Sequence, residues 1–203
     1  MSGRPTRERI LDAALTRFGT RGFEAVSLDE IAADVGVTKQ TVLYWFSSKD
    51  ELLGAVVERT AHELAVAVEA AARSTGPGFE QVEAIVRAVF RPAVRQPEVL
   101  GLVRELGRLT PAASERLLAP VRPLVERGVA FLQAEMDAGR MRRSDPRLVL
   151  SLVYATVIGV ASEPEVLRAV GWDPSLAGLR RLRHELLDYL RAALGPASPS
   201  SDG

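Results

Sequence analysis

The sequence contains no cysteine, which excludes a disulfide frame, a thiolate metal site and a cysteine nucleophile. Histidine is scarce as well. His62 and His184 are the only two among 203 residues, and they lack the i, i+4 spacing of a helical metal pair. No metal and no other cofactor is expected. Aromatic residues make up 5% of the chain and β-branched runs are short, so little favours sheet. An excess of one charge is missing too: 26 Lys and Arg are balanced by 26 Asp and Glu. That balance rules out a uniformly basic nucleic-acid coat and an acidic disordered protein. The longest uncharged stretch, Leu148 to Ser162, has 15 residues, short of the roughly 18 that suggest a membrane span. The start, MSGRPTRERILDAA, has no continuous apolar segment of the kind a secretory signal needs. A cytoplasmic protein with no membrane partner is expected.

What the chain does have is Ala, Leu, Arg and Glu in quantity, a composition that points to an all-α fold. Its length suffices for one large or two small domains with a real core. Thr6 is expected to cap a first helix that carries Ile10, Leu11, Ala14, Leu15 and Phe18 at helical spacing and closes at Gly19 and Gly22. Ser27-Leu-Asp-Glu30 reads as a capping box for a second helix with Leu28, Ile31, Ala32 and Val35 on one face. A third short helix opens at Thr38 and turns Val42 and Phe46 inward. A second box, Ser48-Lys-Asp-Glu51, starts a long helix to about Arg73. Beyond Gly76-Pro77-Gly78, helices are expected over about 79–95, 98–109, 112–138, 147–162 and 174–194. Pro120 and Pro123 should kink or split the segment at 112–138. This makes about nine helices in total.

The strongest signal lies between Leu28 and Phe46. Ala32, Gly36 and Val42 stand at offsets 0, +4 and +10. They supply a small residue where two helices cross, a glycine for the tight turn, and an apolar lock on the angle, as a DNA-reading helix-turn-helix requires. An ordinary αα-hairpin with a glycine in its turn would share part of this pattern. Thr38, Lys39, Gln40 and Thr41 open the third helix, the element that enters the major groove in such motifs. Lys39 can donate to guanine O6 and N7, and Gln40 can pair with adenine N6 and N7. Thr41 suits a thymine methyl or a phosphate. Ser27, Tyr44, Trp45 and Lys49 are candidates for phosphate contacts, with core packing as the alternative for Trp45. Residues 1–54 carry seven basic residues (Arg4, Arg7, Arg9, Arg17, Arg21, Lys39, Lys49) against eight acidic ones, a net charge of −1. Modest non-specific binding and a shallow salt dependence are expected.

The stretch FEAVSLDEIAADVGVTKQTVLYWFSSKDELL, residues 23–53, resembles the signature of the tetracycline-repressor (TetR) family of transcription regulators nearly throughout. The resemblance covers about the first quarter of the chain; the remainder is similar in length and helical character. One position departs. Leu43 stands where the family commonly has a tyrosine, so that phosphate contact falls to Tyr44 or Trp45 or is absent.

The resemblance implies a homodimer with an N-terminal three-helix DNA-binding domain over 1–54 and a C-terminal effector-binding and dimerisation bundle over 55–195. Residues 196–203, PASPSSDG after Gly195, read as a disordered tail. The apolar helix around Leu152, Val153 and Ile158, and the leucine seam Leu179, Leu182, Leu186 and Leu190, are expected to meet a twin in a four-helix interface. Intramolecular packing is the alternative, because apolar periodicity does not name its partner. The implied partners are an inverted-repeat DNA operator, a second copy of the chain and a small effector. Phe90, Leu102, Arg104, Leu106, Phe131 and Tyr154 are candidates for the pocket wall, where ordinary core packing is again the alternative. Few aromatics and no metal site point to an apolar or amphipathic organic effector. A helix-turn-helix protein governed by a protein partner, or by none, is a second reading. An enzyme is a third, and no paired carboxylates, nucleophile elbow or phosphate-binding glycine loop supports it.

Overall fold

The computed structural model describes residues 5–107, 115, 117–162, 164–173 and 175–195. Among them the chain forms ten α-helices and no strand: α1 (Thr6–Arg21), α2 (Leu28–Val35), α3 (Lys39–Trp45), α4 (Lys49–Arg73), α5 (Phe79–Arg95), α6 (Glu98–Leu106), α7 (Arg122–Asp137), α8 (Pro146–Ser162), α9 (Pro164–Ala169) and α10 (Leu176–Leu194). A 3-10 turn, Ala119–Val121, precedes α7, so the prolines at 120 and 123 do mark a break. The short α9 is the helix that the expected nine did not include. The tail at 196–203 lies outside the described residues.

Several helix starts follow the local code. Ser27 accepts from the Glu30 amide while the Glu30 carboxylate accepts from the Ser27 amide, a complete capping box. Thr38 caps α3 by accepting from the Thr41 amide. Two starts differ from expectation. Thr6 is the first helical residue and not the cap; Pro5 precedes it, with no side-chain bond. At α4 the Ser48 hydroxyl accepts from the Glu51 amide at 3.0 Å, but the Glu51 carboxylate reaches past it to the Ser47 amide at 2.7 Å and the Ser47 hydroxyl. The second box is thus shared between two serines.

The chain divides into two compact units. The first comprises residues 1–63 and 95–121, the second 64–94 and 122–203. In the first, Ile10, Leu11, Ala14 and Phe18 of α1 pack with Ile31, Val35, Val42, Phe46, Leu52, Val56, Leu102 and Leu106 in one core. The segment contributing Leu102 and Leu106 arrives from far along the sequence because α1 and α6 cross at glycines. A Cβ on Gly19 would lie 2.7 Å from the Glu98 carbonyl carbon, and one on Gly101 would lie 2.6 Å from that of Gly19. Gly19 therefore does not end α1, which runs on to Arg21. Gly22 ends it, at φ 85°.

The second unit has its own core of Val82, Val86, Phe90, Leu132, Met136, Met141, Val149, Leu186, Leu187, Leu190 and Leu194. Glu135 is buried there and accepts two bonds from Arg140, at 2.8 and 2.7 Å. That guanidinium holds the Glu135 carboxyl below the usual range, despite burial pushing it the other way. A buried carboxylate matched so closely is tolerated because its charge and lone pairs are met.

Candidate nucleic-acid interface

The angle between α2 and α3 is set by the apolar face of each. Ile31, Ala32 and Val35 of α2 and Val42 of α3 are buried. Gly36 sits between the helices at φ 70°, ψ 38°. A Cβ there would meet nothing within 4 Å, so the glycine is needed for its left-handed backbone and not for space. With Val42 facing inward, the opposite side of α3 faces out. Thr38, Lys39 and Gln40 are exposed and Thr41 is half-buried. Tyr44 is 81% exposed and Trp45 42%, their rings meeting edge to face at 5.4 Å. Trp45 is therefore not the residue under the helix; Phe46, 2% exposed, fills that position.

The described cations of residues 5–54 each have a partner within the chain. Arg17 grips Asp34 with two bonds of 2.6 Å, Arg21 bonds Glu30, and Arg7 meets Glu8 at 3.3 Å. Arg9 donates to the Val35 carbonyl at the end of α2. On α3 itself, the Lys39 ammonium meets Asp29 Oδ2 at 2.8 Å. Lys49 is turned inward: its ammonium lies 3.0, 3.1 and 3.5 Å from the carbonyls of Phe23, Val26 and Glu24, and 4.3 Å from the Phe23 ring centre. An ammonium has three hydrogens, and three carbonyls take them. Lys49 thus ties the start of α4 to the loop ahead of α2, its donors engaged within the chain and not turned outward as a phosphate contact would require. Ser27 is exposed at the start of α2, its hydroxyl engaged in the cap.

These pairs also set acid sensitivity. The Ser27 amide, then the Arg21 and Ser27 side chains, lower the Glu30 pKa from 4.5 to about 2. Asp34 is lowered by Arg17, and Glu51 by the Ser47 side chain and amide. A depressed carboxylate favours the folded state above its unfolded value and loses that contribution as pH falls toward the folded one. Melting temperatures should therefore fall between about pH 4.5 and pH 2. A Glu30→Gln variant should show a shallower decline over that window than the parent chain when both are followed by circular dichroism.

The other candidate residues separate. Leu102 and Leu106 belong to the core of the first unit, and Arg104 lies on the same helix with its Nε lacking a hydrogen-bond partner among the described residues. Phe90 is in the core of the second unit, with Phe131 packed against it. Tyr154 is 61% exposed. The leucine seam of α10 turns inward: Leu179, Leu186 and Leu190 are buried in the single chain and Leu182 packs on the same core. Within the single chain, these leucines pack intramolecularly. Val153 is half-buried against the core, Leu152 is exposed, and the side chain of Ile158 lies outside the described residues. Glu105, on the same helix as Arg104 and a polar-anchor candidate alongside it, accepts from the Phe23 amide at 2.9 Å, a link that no local pattern reveals between residues so far apart.

Residues 10–56 match the model for "Bacterial regulatory proteins, tetR family". The matched segment runs from within α1 to the first turns of α4 and so takes in the whole of α2 and α3. Curated proteins are similar as well. The "HTH-type transcriptional regulator BetI" of Rhizobium meliloti is 33% identical over 46% of this chain and 46% of its own length. The "HTH-type transcriptional activator FasR" of Mycolicibacterium smegmatis is 39% identical over 41% of this chain and 38% of its own. The alignments thus span less than half the length of these relatives. Likeness of fold reaches further: the transcriptional regulator FadR from Bacillus subtilis, solved with stearoyl-CoA, superposes with a TM-score of 0.74, covering 89% of this chain and 96% of that one at 16% identity. Among the described residues no helix is long and apolar enough to cross a membrane, and no group of side chains could hold a metal ion.

Proposed function

We propose that this protein is a transcription regulator that reads an inverted-repeat operator as a homodimer, acts as a repressor, and releases DNA on binding a small apolar or amphipathic effector. The observation that carries the reading is the exposed first turn of α3, Thr38 to Gln40, held at a fixed angle by buried Val42 within a TetR-type domain. That turn would enter the major groove, where Gln40 is free to pair with adenine. Gln40→Ala should relax base preference at one operator position by about 1–3 kcal/mol, the usual worth of a bidentate contact. Selecting bound duplexes from a random pool, for parent and variant, measures this. Uniform weakening across all sequences would remove Gln40 from the base-reading set.

The dimer is supported by α8. Its sequence is apolar all round, which calls for burial on nearly every side, yet the single chain leaves Leu148 54%, Leu152 49% and Tyr154 61% exposed. A second copy would cover them. Two recognition turns about 34–36 Å apart would then fit successive major grooves. For the effector, the apolar second unit around Phe90 and Phe131 is the place we favour, and a fold neighbour that holds stearoyl-CoA supports an amphipathic ligand. Effector and DNA affinities would be reciprocally coupled. Such a protein would work in the cytoplasm and carry out no catalysis.

A further inference from the structure

We propose that Asp29 is a specificity-determining residue that competes with DNA for Lys39; the inference rests on the reading of α3 as the DNA-facing helix. Every described basic residue of the first 54 already has an acceptor or a ring within the chain. Among them, Lys39 alone lies on the exposed first turn of α3. Its partner is Asp29 at 2.8 Å, on the first turn of the neighbouring helix, and both side chains are open to water, 48% and 63% exposed. The remaining pairs lie elsewhere: Arg17 and Arg21 join α1 to α2, and Lys49 faces backbone carbonyls.

An ion pair between two solvated side chains contributes little net stability. The Asp29–Lys39 pair therefore opens readily, but whatever replaces the carboxylate must outdo it. A lone phosphate offers the ammonium one charge in exchange for another, and it approaches with Asp29 still nearby to repel it. A guanine edge presents O6 and N7 without bringing a second anion against Asp29. The carboxylate thereby penalises sequence-blind contact more than base contact. This gives the neutral charge balance of the domain a purpose: weak binding to arbitrary DNA.

The test measures binding of the full-length chain to a random-sequence duplex pool and to the duplex recovered by selection, by fluorescence anisotropy between about 50 and 200 mM NaCl. Asp29→Asn should tighten binding to the random pool by about five- to tenfold. It should also steepen the dependence of log K on log salt by up to about 0.9, the value of one additional phosphate contact. Affinity for the selected duplex should rise less, so the ratio between the two falls. Asp29→Glu, which keeps the charge, should behave as the parent chain, and in a Lys39→Ala background the gain from Asp29→Asn should shrink. An Asp29→Asn variant with unchanged random-pool affinity and salt slope would overturn the proposal, and so would an equal gain with Lys39 removed. If a helical, folded parent chain binds neither duplex, the DNA-binding reading itself fails. That outcome is distinct from parent binding with no response to Asp29.

Discussion

Gly101→Ala is expected to lower the melting temperature by about 10 °C, whereas Gly76→Ala should leave it within a degree or two. The first substitution places a methyl 2.6 Å from the carbonyl carbon and 2.9 Å from the Cα of Gly19. Both neighbours are backbone, so no side chain can swing aside and the two helices must separate. Overpacking in a core costs about 1–3 kcal/mol and sometimes more, and here the upper end applies. In a chain of this length each kcal/mol shifts the midpoint by roughly 2–4 °C. Gly76 provides the contrast, since a Cβ there meets nothing within 4 Å and an alanine would only reduce the freedom of the unfolded chain. Circular dichroism melts of the two variants make the comparison, and equal stability would mean that α1 and α6 do not cross as described.

Leu152→Arg is expected to turn the protein into a folded monomer and weaken operator binding by on the order of 100-fold or more. The side chain is 49% exposed on α8, so the charge is tolerated in a single chain, while a second copy laid over it would have to bury that charge unpaired. In the proposed dimer, loss of the partner removes the second half-site contact, and linked sites gain about 10²–10⁴ over either alone. Sedimentation equilibrium reads the first effect and anisotropy titration the second. A variant that stays dimeric would move the interface away from this face. Substituting Leu186 or Leu190 would not make the same test, because both lie in the chain's own core and their loss would unfold it.

Those two leucines mark the limit of what the amino-acid order reveals. The capping box at Ser27, the left-handed Gly36 and the inward Val42 were legible because each is fixed by neighbours within a few residues. The exposed turn at Thr38 to Gln40 followed from them. Periodicity correctly gave α10 an apolar stripe, but not the stripe's partner. Gly19 looked like a helix terminator because its true neighbour, Gly101, is 82 positions further on. The inward turn of Lys49 could not be read either, because the carbonyls that hold it belong to a loop more than twenty residues earlier. Each of these features involves a tertiary contact that leaves no mark in local spacing.

The discontinuous make-up of the first unit bears on how such a protein could be rebuilt. An exchange of reading heads between regulators, made at a single cut after residue 54 or 63, would carry α1 without α6. It would strip Leu102 and Leu106 from around Ile10, Leu11 and Phe18 and leave Phe23 without the carboxylate of Glu105. A working chimera needs two cuts, with the segment 95–121 travelling alongside the helix-turn-helix as its inseparable companion.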